Sequence, residues 1–494
     1  MKILSTSQTQ AADRYTIEHE PISSLDLMER AAQALLSWFN QNIDPSSPIV
    51  FLSGKGNNGG DGLALARLLK THGYSDLMVF LIDRNGSPDF EANLNHLQSD
   101  IYQEALDEQL KPGFFSEDTV WVDALFGSGL NRVLEGRYVD WIQALNKLSG
   151  LKVSIDLPSG LMGDAIAQAD LSRVFKADYT LTFQYPKLAL VHPYTAALAG
   201  QLEVLDIGLH ADYLQSAESS FHWSTVADIK SIIKPRKKHS YKGDYGHAYL
   251  LAGSPNTMGA ALIAAEACAR SGTGLISLNT ARETFTACNS RLPELMLQER
   301  GSQAPSLDSY QAVLCGPGLG QDDGVNSLLG DILQNWQGPL VLDADALNLI
   351  AKNPSYLQWA KENWILTPHP GEFNRLLGLD QLGPDQLDIG IEYCRKHRLN
   401  LLLKGSISVL IEANGNCTFY DYGSSALAKG GSGDLLAGLL CGLLVQDYSI
   451  KQAVNLGMAL QGKAAQLAEK ELGSAHAVLS SDILQQIGKA YASF

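Results

Sequence analysis

Two aspartates stand where a buried strand gives way to a glycine-containing turn, a third closes an asparagine–glycine turn, and a fourth opens an apolar helix. Asp123 lies in TVWVDALFGSGL and Asp156 in KVSIDLPSG, while Asp61 ends Gly54-Lys55-Gly56-Asn57-Asn58-Gly59-Gly60-Asp61. Asp434 follows Gly430-Gly431-Ser432-Gly433. An unpaired carboxylate at a strand end suits proton transfer, and with asparagine and serine oxygens it suits a hard cation. A glycine loop before a helix offers backbone N–H groups to a phosphate. Taken singly, each aspartate is as well explained by a cap or a turn. In the first block the convergence of Asp61, Asp123 and Asp156 on one sheet edge is what points to chemistry.

The elements that must position these groups form two α/β blocks. In the first, PIVFLSG reads as a buried strand, DGLALARLLKTHG as an amphipathic helix and LMVFLID as the next strand, completing a βαβ unit. Strands follow at TVWVDALFG, LKVSIDLPSG and ADYTLTF, and the block closes near LEVLDIGL. A polar stretch from about His210 to His239, ending in KPRKKH, reads as a solvated linker. The second block begins at GDYGHAYLLAGS, with strands expected at HAYLLAG, TGLISLN, QAVLCG, PLVLDA, NWILTP and LNLLLKG. Domains are expected at 1–215 and 222–494, both α/β with largely parallel sheets.

Composition narrows the class. With 494 residues the chain exceeds one ordinary core, and 45% apolar with 18% charged residues is a globular composition. A net charge of −16 argues against a nucleic acid or an anionic membrane as partner. The six cysteines, Cys268, Cys288, Cys315, Cys394, Cys417 and Cys441, form no CxxC pair and read as reduced core residues. MKILSTSQTQ lacks the apolar stretch of a signal peptide, and the longest uncharged apolar run, Leu435 to Val445, is too short to span a bilayer. A cytoplasmic enzyme is expected.

Gly54, Gly56 and Gly59 satisfy GxGxxG, with Asp83 near the end of the next strand where a ribose-binding acid would lie. That alone describes a dehydrogenase. GNNGGDG together with DALFGSGL and SIDLPSG resembles the NAD(P)H-hydrate epimerase family over nearly the whole first block. The resemblance implies a Rossmann-like three-layer sandwich in which Asn57, Asn58, Gly59, Gly60 and Asp61 hold the dinucleotide. Gly127, Ser128, Gly129, Leu130, Asn131, Arg132 and Val133 would do so from the other side, with Tyr138 close by. It further implies a potassium ion on Asn58, Asp123 and Ser159, and Asp156 as the acid–base residue at the substrate.

In the second block GSGD resembles the ribokinase-like superfamily. KGDYGHAYLLAGS, GPGLG, DADALNL, TPHPGEF and AKGGSGDLLAG together resemble the ADP-dependent NAD(P)H-hydrate dehydratase family. That resemblance implies nucleotide contacts from Lys404, Gly405, Ser406, Ile407, Ser408 and Gly433. It puts Ala260, Gly320, His369 and Asp434 against the hydrate, with Asp434 as catalytic base. The implied partners are NADHX, NADPHX and ADP with magnesium, in a homo-oligomer. Read without the resemblance, the residues leave other functions open. One is a ribokinase-like small-molecule kinase fused to a dinucleotide-binding domain. A non-catalytic binding scaffold and a plain dehydrogenase are the others.

Overall fold

A computed structural model describes residues 1–97, 99–106 and 115–494. The chain divides into two compact units, Met1–Phe221 and His222–Phe494. The first holds a seven-stranded sheet built from β1 (Ile49–Ser53), β2 (Leu77–Leu81), β3 (Tyr102–Ala105), β4 (Val120–Ala124), β5 (Leu151–Ile155), β6 (Tyr179–Phe183) and β7 (Gln201–Leu205). Every pairing is parallel, in the order β3-β2-β1-β4-β5-β6-β7. β1 and β4 are apolar on both faces because both are covered, as a parallel sheet requires. One face packs on Trp38, Phe39 and Leu65, the other on Trp141, Ile142 and Phe175.

The second unit carries a ten-stranded sheet. Its strands are β8 (Phe221–Trp223), β9 (His247–Leu251), β10 (Leu275–Thr280), β11 (Met296–Glu299), β12 (Ala312–Cys315), β13 (Leu340–Leu342), β14 (Trp364–Leu366), β15 (Asn400–Leu403), β16 (Ser408–Ile411) and β17 (Cys417–Tyr420). β11-β10-β9-β12-β13-β14-β15 run parallel, and the β15–β16–β17 edge is antiparallel. The halves are therefore Rossmann-like and ribokinase-like, the two-domain α/β class read from the sequence. No helix among the described residues is long and apolar enough to cross a membrane. All six cysteines are free and buried.

Three local readings change. The asparagine–glycine turn is not a free loop, since helix Asn57–Thr71 already begins there with extended Gly56 as its N-cap. The stretch from His210 onward is not a bare linker: helices Ala211–Ser216 and Val226–Ile232 flank β8, each N-capped by a side chain. Strands β3, β8, β11, β16 and β17 escaped detection because they are short and lie at or near sheet edges.

The glycines of the first turn are set by contact. A Cβ on Gly54 would lie 1.9 Å from the Leu125 carbonyl oxygen, and one on Gly59 would lie 1.8 Å from that of Gly54. Backbone cannot yield as a flexible side chain does. Gly54→Ala is therefore expected to destabilise the first unit by about 1–3 kcal/mol, read as a lower urea midpoint for its transition. An unchanged midpoint would mean β1 and β4 can separate there freely.

Candidate active sites

Strand order reverses between β1 and β4, which opens a crevice at the carboxyl ends of the strands. A cavity of about 570 Å³ occupies it. Asn57, Asn58 and Asp61 line it from the helix after β1, Gly127 through Arg132 and Tyr138 from beyond β4, and Asp156 from the end of β5. Gly59, Gly60 and Val133 are outside the lining; the two glycines are buried in packing contacts instead. Asp83 is also outside it and caps its own turn, accepting from the Asn85 N–H at 3.1 Å. The ribose-acid pattern of a dehydrogenase is therefore not assembled.

Asp156 has φ +65°, a left-handed conformation that costs a non-glycine residue energy and often marks a functional position. Its Oδ2 accepts from the Ser128 N–H at 2.9 Å, and its Oδ1 accepts from the Lys187 ammonium at 2.6 Å. Lys187 is 1% exposed and also donates to the Thr182 hydroxyl at 2.9 Å. Burial pushes the Asp156 carboxyl up, but Lys187 and the Ser128 N–H outweigh it and hold it below its usual value. Asp13, on the same cavity, has no such close partner among the described residues. Burial raises it to about 6, against the attraction of Lys187. Asp61 is raised too, by burial and then by the charges of Asp156 and Asp13.

Asp123 and Ser159 are fully buried and do not line the cavity. The Asp123 carboxylate accepts from the Ser159 hydroxyl at 2.5 Å, the Ser159 N–H at 2.8 Å and the Ser154 hydroxyl at 2.8 Å. Burial raises its pKa in spite of these bonds. Asn58 has both side-chain amide atoms buried without a hydrogen-bond partner. It stands close to Asp156, since a Cβ on Gly127 would meet Asn58 Oδ1 and Asp156 Oδ2, each at 3.0 Å.

In the second half the analogous reversal lies between β9 and β12. Asp434 sits in the first turn of helix Ser432–Leu444, whose N-cap is Gly431 at φ +90°, and no side chain caps that helix. Capping therefore does not explain Asp434. The loop before it is held by the Ser480 hydroxyl on the Gly430 carbonyl at 2.9 Å and the Gln461 amide on the Ser432 carbonyl at 2.7 Å.

Around Asp434 gather Asp343, Lys404, Glu372 and Asp345. Burial raises its carboxyl to about 6, with Asp343 adding to the rise and Lys404 opposing it. Lys404 donates to Asp343 at 2.8 Å, and the Thr367 hydroxyl bonds the same oxygen at 2.8 Å. Ala344, between the two aspartates, takes φ +48° and so turns their chain sharply. Asp345 accepts from the Gly320 N–H at 2.9 Å. Ala260 packs near GPGLG, where a Cβ on Gly318 would lie 3.1 Å from its own.

His369 N-caps helix Pro370–Leu377, and its ring is 3.6 Å from Glu372. Lys404 through Ser408 form the turn between β15 and β16, closed by mutual bonds of Gly405 and Ser408.

Residue patterns did not reveal Lys187, Asp13 or Thr182. The one available signal was Lys187 itself, a lone charge in the apolar run YPKLALV.

A buried carboxylate–ammonium pair on a crevice in one half and a glycine loop beside a carboxylate in the other give this α/β protein two enzyme-type sites. The family model described as NAD(P)H-hydrate dehydratase matches residues 248–489, and that of the YjeF-related protein N-terminus matches 24–189. The bifunctional NAD(P)H-hydrate repair enzyme of Thermofilum pendens is 31% identical over 96% of this chain and 93% of its own. That of Coxiella burnetii is 32% identical over 97% of each. A crystal structure of the ADP/ATP-dependent NAD(P)H-hydrate dehydratase from Bacillus subtilis, with ATP and magnesium, is 31% identical over 55% of this chain and 97% of its own, at a TM-score of 0.49. The chain belongs to the bifunctional NAD(P)H-hydrate repair enzyme family.

Proposed function

We propose that residues 1–215 interconvert the R and S forms of NADHX and NADPHX, and that residues 222–494 dehydrate the S form to NADH or NADPH with ADP, yielding AMP and phosphate. The observation that carries this reading is one chain holding a buried Asp156–Lys187 pair on a dinucleotide-type crevice and an uncapped Asp434 on a phosphate-type loop. The small-molecule kinase alternative is not favoured, because the family relationship spans both halves.

Hydration leaves an alcohol carbon beside the ring nitrogen, in either of two configurations. In the first site the nitrogen lone pair expels the hydroxyl, which leaves as water on accepting a proton from Lys187. Water then adds to the opposite face and gives its proton to ionised Asp156. Return of that proton across the 2.6 Å contact restores the pair. Asn57, Asn58 and Asp61 at the helix start, with Gly127 to Arg132, hold the dinucleotide beside Tyr138.

The donor chemistry of Asn58, Asp123 and Ser159 suits a potassium ion: Asn58 offers a buried amide oxygen without a partner, and Asp123 a buried carboxylate whose hydrogen bonds come from the neutral Ser154, Ser159 and Leu125. Bound there, the ion would supply a fixed positive charge beside the crevice.

In the second site Asp434 takes the proton of the hydroxyl as the β-phosphoryl group passes from ADP to its oxygen and AMP departs. The ring nitrogen then expels phosphate, and loss of the neighbouring ring proton restores the double bond. Backbone N–H groups of Gly430 to Gly433 face the transferring charge, and such donors are commonly worth about 3–4 kcal/mol each. Lys404 to Ser408 hold the nucleotide, whose phosphates carry the magnesium, while Ala260, Gly320 and His369 hold the hydrate. A cytoplasmic setting suits six free, buried cysteines.

The test is near-ultraviolet absorbance recovery from mixed-epimer NADHX with ADP, magnesium and potassium. Complete recovery with AMP and free phosphate is expected. A stable phosphorylated product would return the second half to the kinase reading, and recovery of one epimer only would remove epimerisation from the first.

The pH profile follows from Asp434. A base works when ionised, and this one titrates at about 6. The kcat/KM for (S)-NADHX should hold on the alkaline side and fall about tenfold per pH unit well below that value. A profile still flat at pH 5 would contradict Asp434 as the base.

A further inference from the structure

A second cavity, of about 440 Å³, opens beside the dehydratase site and is lined by Gln321, Asn348, Ala351, Lys352 and Arg375. None of these is acidic, although the chain carries a net charge of −16. Neither Lys352 nor Arg375 forms an ion pair among the described residues. Lys352 donates to the Gln321 side-chain oxygen at 2.8 Å, and Arg375 Nε donates to that of Asn348 at 2.9 Å. Neutral partners thus fix two cations without cancelling either charge.

This cavity adjoins the site already described. Gln321 follows Gly320, and both bond Asp345, through the Gln321 amide at 2.7 Å and the Gly320 N–H at 2.9 Å. The Asp345 carboxylate is therefore occupied by these neutral donors. On the other side, a Cβ on Gly371 would lie 3.0 Å from His369 Cε1 and 3.9 Å from Arg375 Nη1. The histidine proposed to contact the hydrate and the guanidinium flank one small space, which glycine leaves open.

We infer that this cavity receives the pyrophosphate of the dinucleotide hydrate, with Arg375 as its main anchor and Lys352 as a second. The inference rests on the dehydratase reading of the Asp434 site. In such a substrate one ribose separates the reacting ring from the pyrophosphate, so an anion must lie just beyond the groups that hold the ring. Lying 3.0 and 3.9 Å from the one position a Gly371 Cβ would take, His369 Cε1 and Arg375 Nη1 both face it. A guanidinium anchored at Nε still presents its terminal N–H groups to a phosphate oxygen pair. ADP does not compete for this place, because its transferring phosphate must reach the Gly430 to Gly433 loop and its nucleoside the Lys404 to Ser408 turn.

The experiment uses the full chain with (S)-NADHX, (S)-NADPHX and ADP varied separately, comparing Arg375→Gln, Lys352→Gln, the double variant and Arg375→Lys. Both side chains are exposed, so folding should be unaffected. The double variant should raise KM for both hydrates by about tenfold or more, with kcat and the ADP KM unchanged. Arg375→Lys should recover part of the loss. Unaltered hydrate KM in the double variant overturns the inference. A rise confined to (S)-NADPHX also overturns it, by moving the anion to the 2′-phosphate. Absence of turnover in the unmodified chain sinks the dehydratase reading itself, a different result from turnover that ignores Arg375.

Discussion

Asp434→Asn is expected to slow dehydration of (S)-NADHX by about 10²–10⁴-fold, the usual range for loss of a positioned general base. The change keeps the size of the side chain and removes its basicity. No capping bond is lost, because Asp434 makes none, and the like-charge repulsion with Asp343 is relieved. Folding should therefore be unharmed, and hydrate KM should move much less than kcat. Single-turnover absorbance recovery at saturating ADP measures the effect. Turnover near that of the unmodified enzyme would mean that another group takes the hydroxyl proton.

Asp156→Asn should suppress consumption of the R epimer by a similar factor, about 10²–10⁴-fold, and leave the S epimer dehydrated at its normal rate. Asparagine tolerates the left-handed backbone that Asp156 adopts, so the strand end should keep its path. The change also leaves the Lys187 ammonium, 1% exposed, without its carboxylate. Stranding a buried charge commonly costs about 3–5 kcal/mol, so the variant should melt earlier than the parent. Asp156→Asn with Lys187→Met removes both charges and should recover much of that stability while staying inactive on the R epimer. Stability recovered together with R-epimer activity would show the pair to be structural and not catalytic.

The parts of the account visible in the sequence are those with local signatures. Parallel strands buried on both faces appear as unbroken apolar runs such as IVFL and LVL, and their order of appearance gave the α/β class directly. Asp123, Asp156 and Asp434 were legible because each adjoins a glycine turn. Lys187 was not, since 31 residues separate it from Asp156 and only the β5–β6 pairing and the segment after β6 unite them. Asp13 reaches the cavity from helix Thr6–His19, whose sequence carries no motif. Asp83 misled for the opposite reason. It has the spacing of a ribose acid, yet the turn after β2 directs it to Asn85. Spacing along a chain fixes direction only while the chain continues its regular element.

The central claim is that the two halves divide one repair between them, and complementation tests it most directly. Asp156→Asn enzyme alone should recover only the S portion of a mixed-epimer NADHX pool at the enzymatic rate, and Asp434→Asn enzyme alone should recover almost none. Mixed together with ADP, magnesium and potassium, they should restore complete near-ultraviolet absorbance, each supplying the site the other lacks. Recovery by the mixture that stops at the S portion would contradict the account, because the first site would then not feed the second.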